Sequence, residues 1–270
     1  MSVFRRSFKA IVVAAAALLC GAAAPQRIMS LNICTDQLLL ALAPEKRIAS
    51  LTFLAREKQP LRYWPQAARI PVNYGSAEDV LAVRPDLVLT GPFLPALTRQ
   101  LLERSGAKIV QVPLAENFAQ IRSVTRQVAF ALHAEARGEV LVAQMDEDLR
   151  ALAKARPTRP IRVAQWGNGG YVPGQSGLFG AMLTAMGAQS ITANDGYYDV
   201  EGLLAGNPDA LIFSDAYAGM PTLRADQDSH PALARRYPRL SYASFYGCGV
   251  PQVAGAARKL QADLRQAVRP

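Results

Sequence analysis

The sequence predicts an α/β protein of two similar lobes, each a mainly parallel sheet covered by helices, joined by a long helical segment. The first observation behind this is a duplicated unit. Glu78–Leu89 and Glu201–Ile212 follow one pattern, with Leu81/Leu204, Ala82/Ala205, Pro85/Pro208 and Asp86/Asp209 in register. Each copy reads as a short helix, a Pro-Asp turn and an apolar run of buried-strand type. Two copies so far apart are not the tandem repetition of a solenoid, so they indicate two related lobes. The second observation is the alternation of strand-like and helix-like segments on either side of each copy, the pattern of parallel sheets with helical crossovers. The third is a stretch of sustained helical periodicity between the copies.

In chain order, Arg27–Leu31 is a short β-type run, and Asn32-Ile33-Cys34-Thr35-Asp36 reads as a turn with capping side chains before an apolar helix at Gln37–Leu42. Arg47–Leu51 is a second strand, followed by a loop with Tyr63, Trp64 and Pro65. The first copy of the unit comes next, with Ser76 as the expected N-cap and Leu87–Thr90 as strand; Pro95–Ser105 is a helix closed by Gly106, and Lys108–Val112 a strand. Phe118–Leu132 and then Ala134–Ala155 have helical apolar spacing up to Pro157. The second of these, about 22 residues, would extend about 33 Å and could run along both lobes. Gly138 weakens it by about 1 kcal/mol relative to Ala and marks the place where it could break. The lobe pattern then restarts: strand Ile161–Trp166, a glycine-rich loop, helix Leu178–Met186 ended by Gly187, the second copy, a loop from Asp215 to Pro238, a strand near Leu240–Phe245 and a last helix from Pro251 to Val268. The expected organisation is a signal peptide at 1–23, an N-terminal lobe at 24–116, a helical linker at 117–157 and a C-terminal lobe at 158–270. Each lobe is Rossmann-like.

The export signal is read from Arg5, Arg6 and Lys9, the uncharged run Ala10–Leu19 and the small residues up to Ala24, with cleavage expected before Ala24. The apolar run is too short for a stable membrane span. Cys20 offers a lipid-anchor alternative, which the bulky Leu19 before it disfavours. Removing residues 1–23 takes three positive charges from the +9 of the full chain and leaves +6. The Lys and Arg residues are dispersed, which argues against a nucleic-acid partner. Such a surface suits an anionic ligand, a membrane surface or solubility alone.

Recognisable catalytic patterns are missing. Gly167-Asn168-Gly169-Gly170 has Val172 where a dinucleotide fingerprint needs glycine, no phosphate-binding Gly-Lys-Ser/Thr loop is present, and Gly174-Gln175-Ser176-Gly177-Leu178 lacks the closing glycine of a nucleophile elbow. His133 and His230 have no metal-ligand spacing with each other or with cysteine, so no metal site and no intrinsic cofactor are expected. Loops at the carboxyl ends of strands line the binding crevice of such sheets, and aromatic residues gather there. Trp166, Tyr171, Tyr217 and Tyr246 are placed there by topology; Tyr74 and Tyr198 complete the candidate set, which suits a large flat ligand. Cys34 at the first helix and Cys248 after the last strand would both lie near such a crevice. They could be bridged across its mouth, could contact a metal centre, or could be two buried free thiols. A helix start would lower the thiol pKa of Cys34, so an exported enzyme using Cys34 as nucleophile near Asp36 is the competing class of function.

Taken with the export signal, the duplicated lobes and the helical spine, Ser76-Ala-Glu-Asp-Val-Leu-Ala-Val-Arg-Pro-Asp-Leu-Val-Leu and its partner Val200–Phe213 resemble the periplasmic binding proteins of ABC importers for iron chelates and vitamin B12, the class III bilobal type. The resemblance implies a non-enzymatic, monomeric periplasmic protein that captures its ligand between the lobes and delivers it to an ABC permease with its ATPase. It implies that Glu78 and Glu201, seven residues before Pro85 and Pro208, dock on permease arginines, and that the spine restricts the lobes to a small hinge motion. The cleft loops have no obvious basic triad for a simple ferric siderophore, and neither histidine falls in a strand-end loop to hold bare ferric ion. Aromatic loops favour a corrinoid such as cobalamin, with a ferric siderophore or haem as alternatives.

Overall fold

The computed structural model describes residues 23–56, 64–104, 106–166, 170–214, 229–242 and 247–268. Residues 1–22 of the expected signal peptide, with Cys20, the 167–169 part of the glycine-rich loop, Tyr217 and Tyr246 lie outside them. The first sheet is built from β1 (Ile28–Ser30), β2 (Ile48–Thr52), β3 (Val72–Asn73), β4 (Leu87–Thr90) and β5 (Lys108–Gln111), in the order β3-β2-β1-β4-β5 with every pairing parallel. Its helices are α1 (Ile33–Leu42), the short α2 (Trp64–Ala67), α3 (Ala77–Val83) and α4 (Ala96–Arg104). Two packed helices come after it, α5 (Phe118–Leu132) and α6 (Glu135–Lys154).

The second lobe contains β6 (Ile161–Trp166), β7 (Tyr171–Val172), α7 (Gly177–Met186), β8 (Ala188–Ser190), β9 (Gly196–Tyr197), α8 (Val200–Gly206), β10 (Ala210–Ser214), α9 (Pro231–Arg236), β11 (Arg239–Tyr242) and α10 (Val253–Ala267). Its main sheet is parallel in the order β11-β10-β6-β8, and β7 and β9 form a small antiparallel pair beside it. Residues on both faces of β4 and β1 are buried, as in parallel sheets covered on both sides.

The duplicated unit owes its shape to a clasp repeated in both lobes. Each short helix ends in a left-handed residue, Arg84 (φ 46°) and Asn207 (φ 43°), and leads into the Pro-Asp turn. The Asp86 carboxylate accepts the backbone N–H groups of Gln26 at 2.6 Å and Arg27 at 3.1 Å; the Asp209 carboxylate accepts that of Arg162 at 2.8 Å. The same arginines reach back to the helix end: Arg27 donates to the carbonyl of Val83 at 2.5 Å, and Arg162 to that of Gly206 at 2.8 Å. Carbonyls left open at a helix terminus are thereby satisfied. The aspartates also fix register, since Ile28 pairs with Leu87 and Val163 with Ala210, the residues directly after them.

One expectation needs correction, and the expected spine helix is found unbroken. The first helix begins at Ile33 rather than Gln37, because the Asn32 side chain accepts the Cys34 N–H at 2.9 Å and caps it; Thr35 and Asp36 are inside the helix. The spine does not break at Gly138. Its 20 residues, about 30 Å long, pass so close to α5 that a Cβ at Gly138 would lie 2.6 Å from the Ala129 Cβ. Glycine lets the two helices approach there. Met145 and Leu152 of the spine belong to one core that runs from Ile28, Leu38 and Leu87 in the first lobe to Met182, Ile212 and Leu260 in the second. Such a shared core is unlike two modules on a flexible linker.

Candidate functional site

The last residues of β1 to β4 are Ser30, Thr52, Asn73 and Thr90, all buried, so each strand turns from apolar to polar as it reaches the edge of the sheet. Directly beyond this polar layer the chain exposes Phe53 (43 %), Tyr74 (75 %) and Phe93 (80 %), and Leu114 (48 %) lies just past β5. Large apolar side chains grouped in water at strand carboxyl ends make this edge the candidate binding face. Phe53 and Tyr74 stack with ring centroids 5.3 Å apart and planes 19° apart.

The polar layer holds these rings. The Asn73 amide donates to the Leu51 carbonyl at 2.6 Å, the Ser50 hydroxyl at 2.8 Å and the Ser30 carbonyl at 3.0 Å, tying three strands together one residue before Tyr74. Asp36, fully buried, accepts the Thr52 hydroxyl at 2.5 Å and the Thr52 N–H at 3.2 Å, one residue before Phe53. Burial pushes the Asp36 carboxyl up to about 6, against the lowering effect of hydrogen bonds from Ser30 and Thr52.

The turn after Asn73 is held by Asp79. Its carboxylate accepts the N–H groups of Tyr74 at 2.9 Å and Ser76 at 3.2 Å, while its own N–H bonds the Ser76 hydroxyl at 3.1 Å in a capping box. Desolvation raises the Asp79 pKa, but these N–H groups and the Ser76 hydroxyl outweigh it and hold the carboxyl below its ordinary value.

The second lobe carries a matching pair. Tyr171 and Tyr197 pack edge to face with centroids 5.7 Å apart, and the Tyr171 hydroxyl donates to Asp195 at 2.6 Å, an acid that also accepts the Gly174 N–H at 2.9 Å. Asp195 raises the Tyr171 pKa, first by that hydrogen bond. Tyr74 and Tyr197 occupy the same offset, four residues before Glu78 and Glu201, and are 75 % and 79 % exposed. Tyr198, the residue singled out from sequence, is instead half-buried against the second-lobe core, its N–H bonded to the Gly170 carbonyl at 2.8 Å. The common offset in the two copies is the signal that picks out Tyr197. Phe53 and Phe93 come soon after strand ends, and no motif marks them.

Trp166 does not reach a ligand-facing surface. It is 1 % exposed and packs with Ala164, Leu203, Leu211 and Leu233. Alternate residues of a strand share a face, so Trp166 goes to the same inner layer as Ala164. Cys34 is bonded to Cys248, with Cα atoms 5.1 Å apart. It is therefore neither a free thiol nor a nucleophile, and the Cys34-enzyme alternative loses its reactive group. The bond joins the first helix of one lobe to the loop before the last helix of the other. Beside it the lobes touch closely: a Cβ at Gly249 would lie 2.5 Å from the Ala115 carbonyl oxygen.

Glu78 and Glu201 are both exposed in the first turn of their helices, α3 capped by Ser76 and α8 by Asp199. Among the described residues no cluster of three or more His, Cys, Asp or Glu could hold a metal ion, and no helix is long and apolar enough to cross a membrane.

The fold is that of several solved periplasmic proteins. The haem-binding protein RhuT from Roseiflexus sp. RS-1 superposes with a TM-score of 0.73 at 23% identity, over 90% of this chain and 99% of that one. A haem-binding protein from Pseudomonas aeruginosa gives a TM-score of 0.74 at 21% identity over 91% and 95%. The vitamin B12 binding protein BtuF of Vibrio cholerae gives 0.70 at 15% identity over 91% and 99%. No curated protein sequence matches the chain. The model of the periplasmic binding protein family matches residues 28–235, most of the chain including both copies of the duplicated unit, and the chain belongs to that family.

Proposed function

We propose that the protein is the solute-binding component of an ABC importer and that it captures a metal tetrapyrrole between its lobes. The observation that carries this is the pair of aromatic platforms, Phe53–Tyr74 and Tyr171–Tyr197, one from each lobe, in which Tyr74 and Tyr197 are exposed and Tyr171 is half-buried. Flat rings contributed by both lobes suit a flat, largely apolar macrocycle. Haem fits that description, cobalamin offers a broad macrocyclic face with a polar amide rim, and both kinds of binder occur among the structural relatives. From sequence alone the aromatic loops favour cobalamin. The exposed Tyr74 hydroxyl shifts the preference to haem, because a tyrosine oxygen can serve as an axial ligand to haem iron. Delivery would use Glu78 and Glu201 as docking points for the permease.

Titrating the mature protein with hemin and cyanocobalamin, followed by absorbance and tyrosine fluorescence, tests the ligand. One of the two should bind, and Tyr74→Ala and Tyr197→Ala should each weaken it about tenfold, about 1.4 kcal/mol. If a ferric siderophore binds and neither tetrapyrrole does, the ligand class is wrong. The docking role is tested by transport into cells: Glu78→Lys with Glu201→Lys should abolish uptake and leave the dissociation constant within about twofold of wild type, because both acids lie outside the aromatic platforms. Loss of ligand binding in that variant would refute a pure docking role.

A further inference from the structure

We propose that Asp79 is a positioning residue of the ligand site, holding Tyr74 in place without touching the ligand. β3 is a two-residue strand at the sheet edge, paired among the described residues through Leu51–Val72 and Thr52–Asn73, so the ladder ends at Asn73 and does little to fix the residues just beyond it. Side chains do it instead. The N–H groups of Tyr74, Gly75 and Ser76 all have side-chain acceptors: Asp79 at 2.9 Å, Asn73 at 3.1 Å and Asp79 again at 3.2 Å. Gly75 adopts a left-handed φ of 77° in this turn, a conformation that glycine reaches freely and that needs external bonds to be held. Both bonds from the turn to Asp79 end on the same oxygen, Oδ2. A carboxylate bonded to two N–H groups is the strongest acceptor available for this task, and ordering Tyr74 before the ligand arrives lowers the entropy lost on binding.

The inference rests on the reading of Tyr74 as a ligand contact, and its test separates the two. Asp79→Ala, Asp79→Asn and Ser76→Ala are titrated with whichever of hemin or cyanocobalamin the wild-type protein binds, and Asp79→Ala is repeated in a Tyr74→Ala background. Asp79→Ala should weaken binding about tenfold in the wild-type background and less than about twofold where Tyr74 is absent. Asp79→Asn, whose single oxygen can accept both N–H groups, should restore affinity to within about threefold. Ser76→Ala removes the other half of the capping box but no bond to Tyr74, so it should lower the melting temperature as Asp79→Ala does and leave affinity within about twofold. Equal losses for Asp79→Ala with and without Tyr74, or equal losses for Ser76→Ala and Asp79→Ala, would show a merely structural effect and overturn the inference. If Tyr74→Ala weakens binding while Asp79→Ala does not, the inference alone fails. If Tyr74→Ala binds as wild type does, or the wild-type protein binds neither probe, the assignment of Tyr74 and the inference fall together.

Discussion

Replacing Cys34 and Cys248 together by alanine should lower the unfolding free energy by about 3–5 kcal/mol, measured by urea denaturation under oxidising conditions. The size of the effect comes from topology. The bond spans 214 positions, so it closes almost the whole described chain into a loop and removes much of the freedom of the unfolded state. It also joins the lobes at a place where Gly249 already lies against Ala115, so it holds a contact that packing alone would leave to a few small residues. A loss below about 1 kcal/mol would mean that the lobes are held by the shared core and that the bond contributes little. Because the sulfurs are bonded to each other, ligand binding should survive the double substitution.

The second large effect concerns Asp36, and it has an unusual sign. Most acids in folded proteins stabilise as pH rises, because their folded pKa is depressed. Asp36 is buried among Ser30, Thr35 and Thr52, and its folded pKa of about 6 lies above the ordinary value of 3.8. The folded state therefore binds the proton more tightly than the unfolded state. Stability from this group is complete below the unfolded pKa and is lost as pH rises through about 6. From pH 8 to pH 5 it should add about 1.4 kcal/mol to the wild-type protein. Asp36→Asn has no such titration, so the stability of the wild type relative to this variant should rise by that amount over the same interval. Other carboxylates act alike in both proteins and cancel in the difference. A difference independent of pH would mean that Asp36 is ionised in the fold at its ordinary pKa.

Much of this organisation is legible in the sequence because it lies in residues with restricted backbone chemistry. Pro85 and Pro208 end helices, Asp86 and Asp209 bind the strand beside them, and their shared spacing reveals two lobes from the chain alone. The partners Arg27 and Arg162 stay hidden, since an arginine at a strand start has no distinctive pattern until the helix end it reaches is located. Strands of two residues, such as β3, β7 and β9, are too short to show a period. Trp166 illustrates a different limit: in a sheet buried on both faces, alternation cannot say which face of the last strand residue meets the inner helix layer. Tyr197 is legible in principle, because it stands where Tyr74 stands relative to the glutamate in the first turn of the following helix, whereas loop position alone points to Tyr198. Asp36 reads as a capping acid near a helix start, and only the approach of Thr52 from another strand makes it a buried hydrogen-bond acceptor.

On the proposed function, the two aromatic platforms, Phe53–Tyr74 and Tyr171–Tyr197, close on a metal tetrapyrrole. Native mass spectrometry of the protein purified from its own host tests it most directly. A species heavier than the mature chain by one haem or one cobalamin, lost when Tyr74 and Tyr197 are both replaced by alanine, is the predicted result. A bound ferric siderophore, or a tetrapyrrole retained undiminished by the double variant, would contradict it.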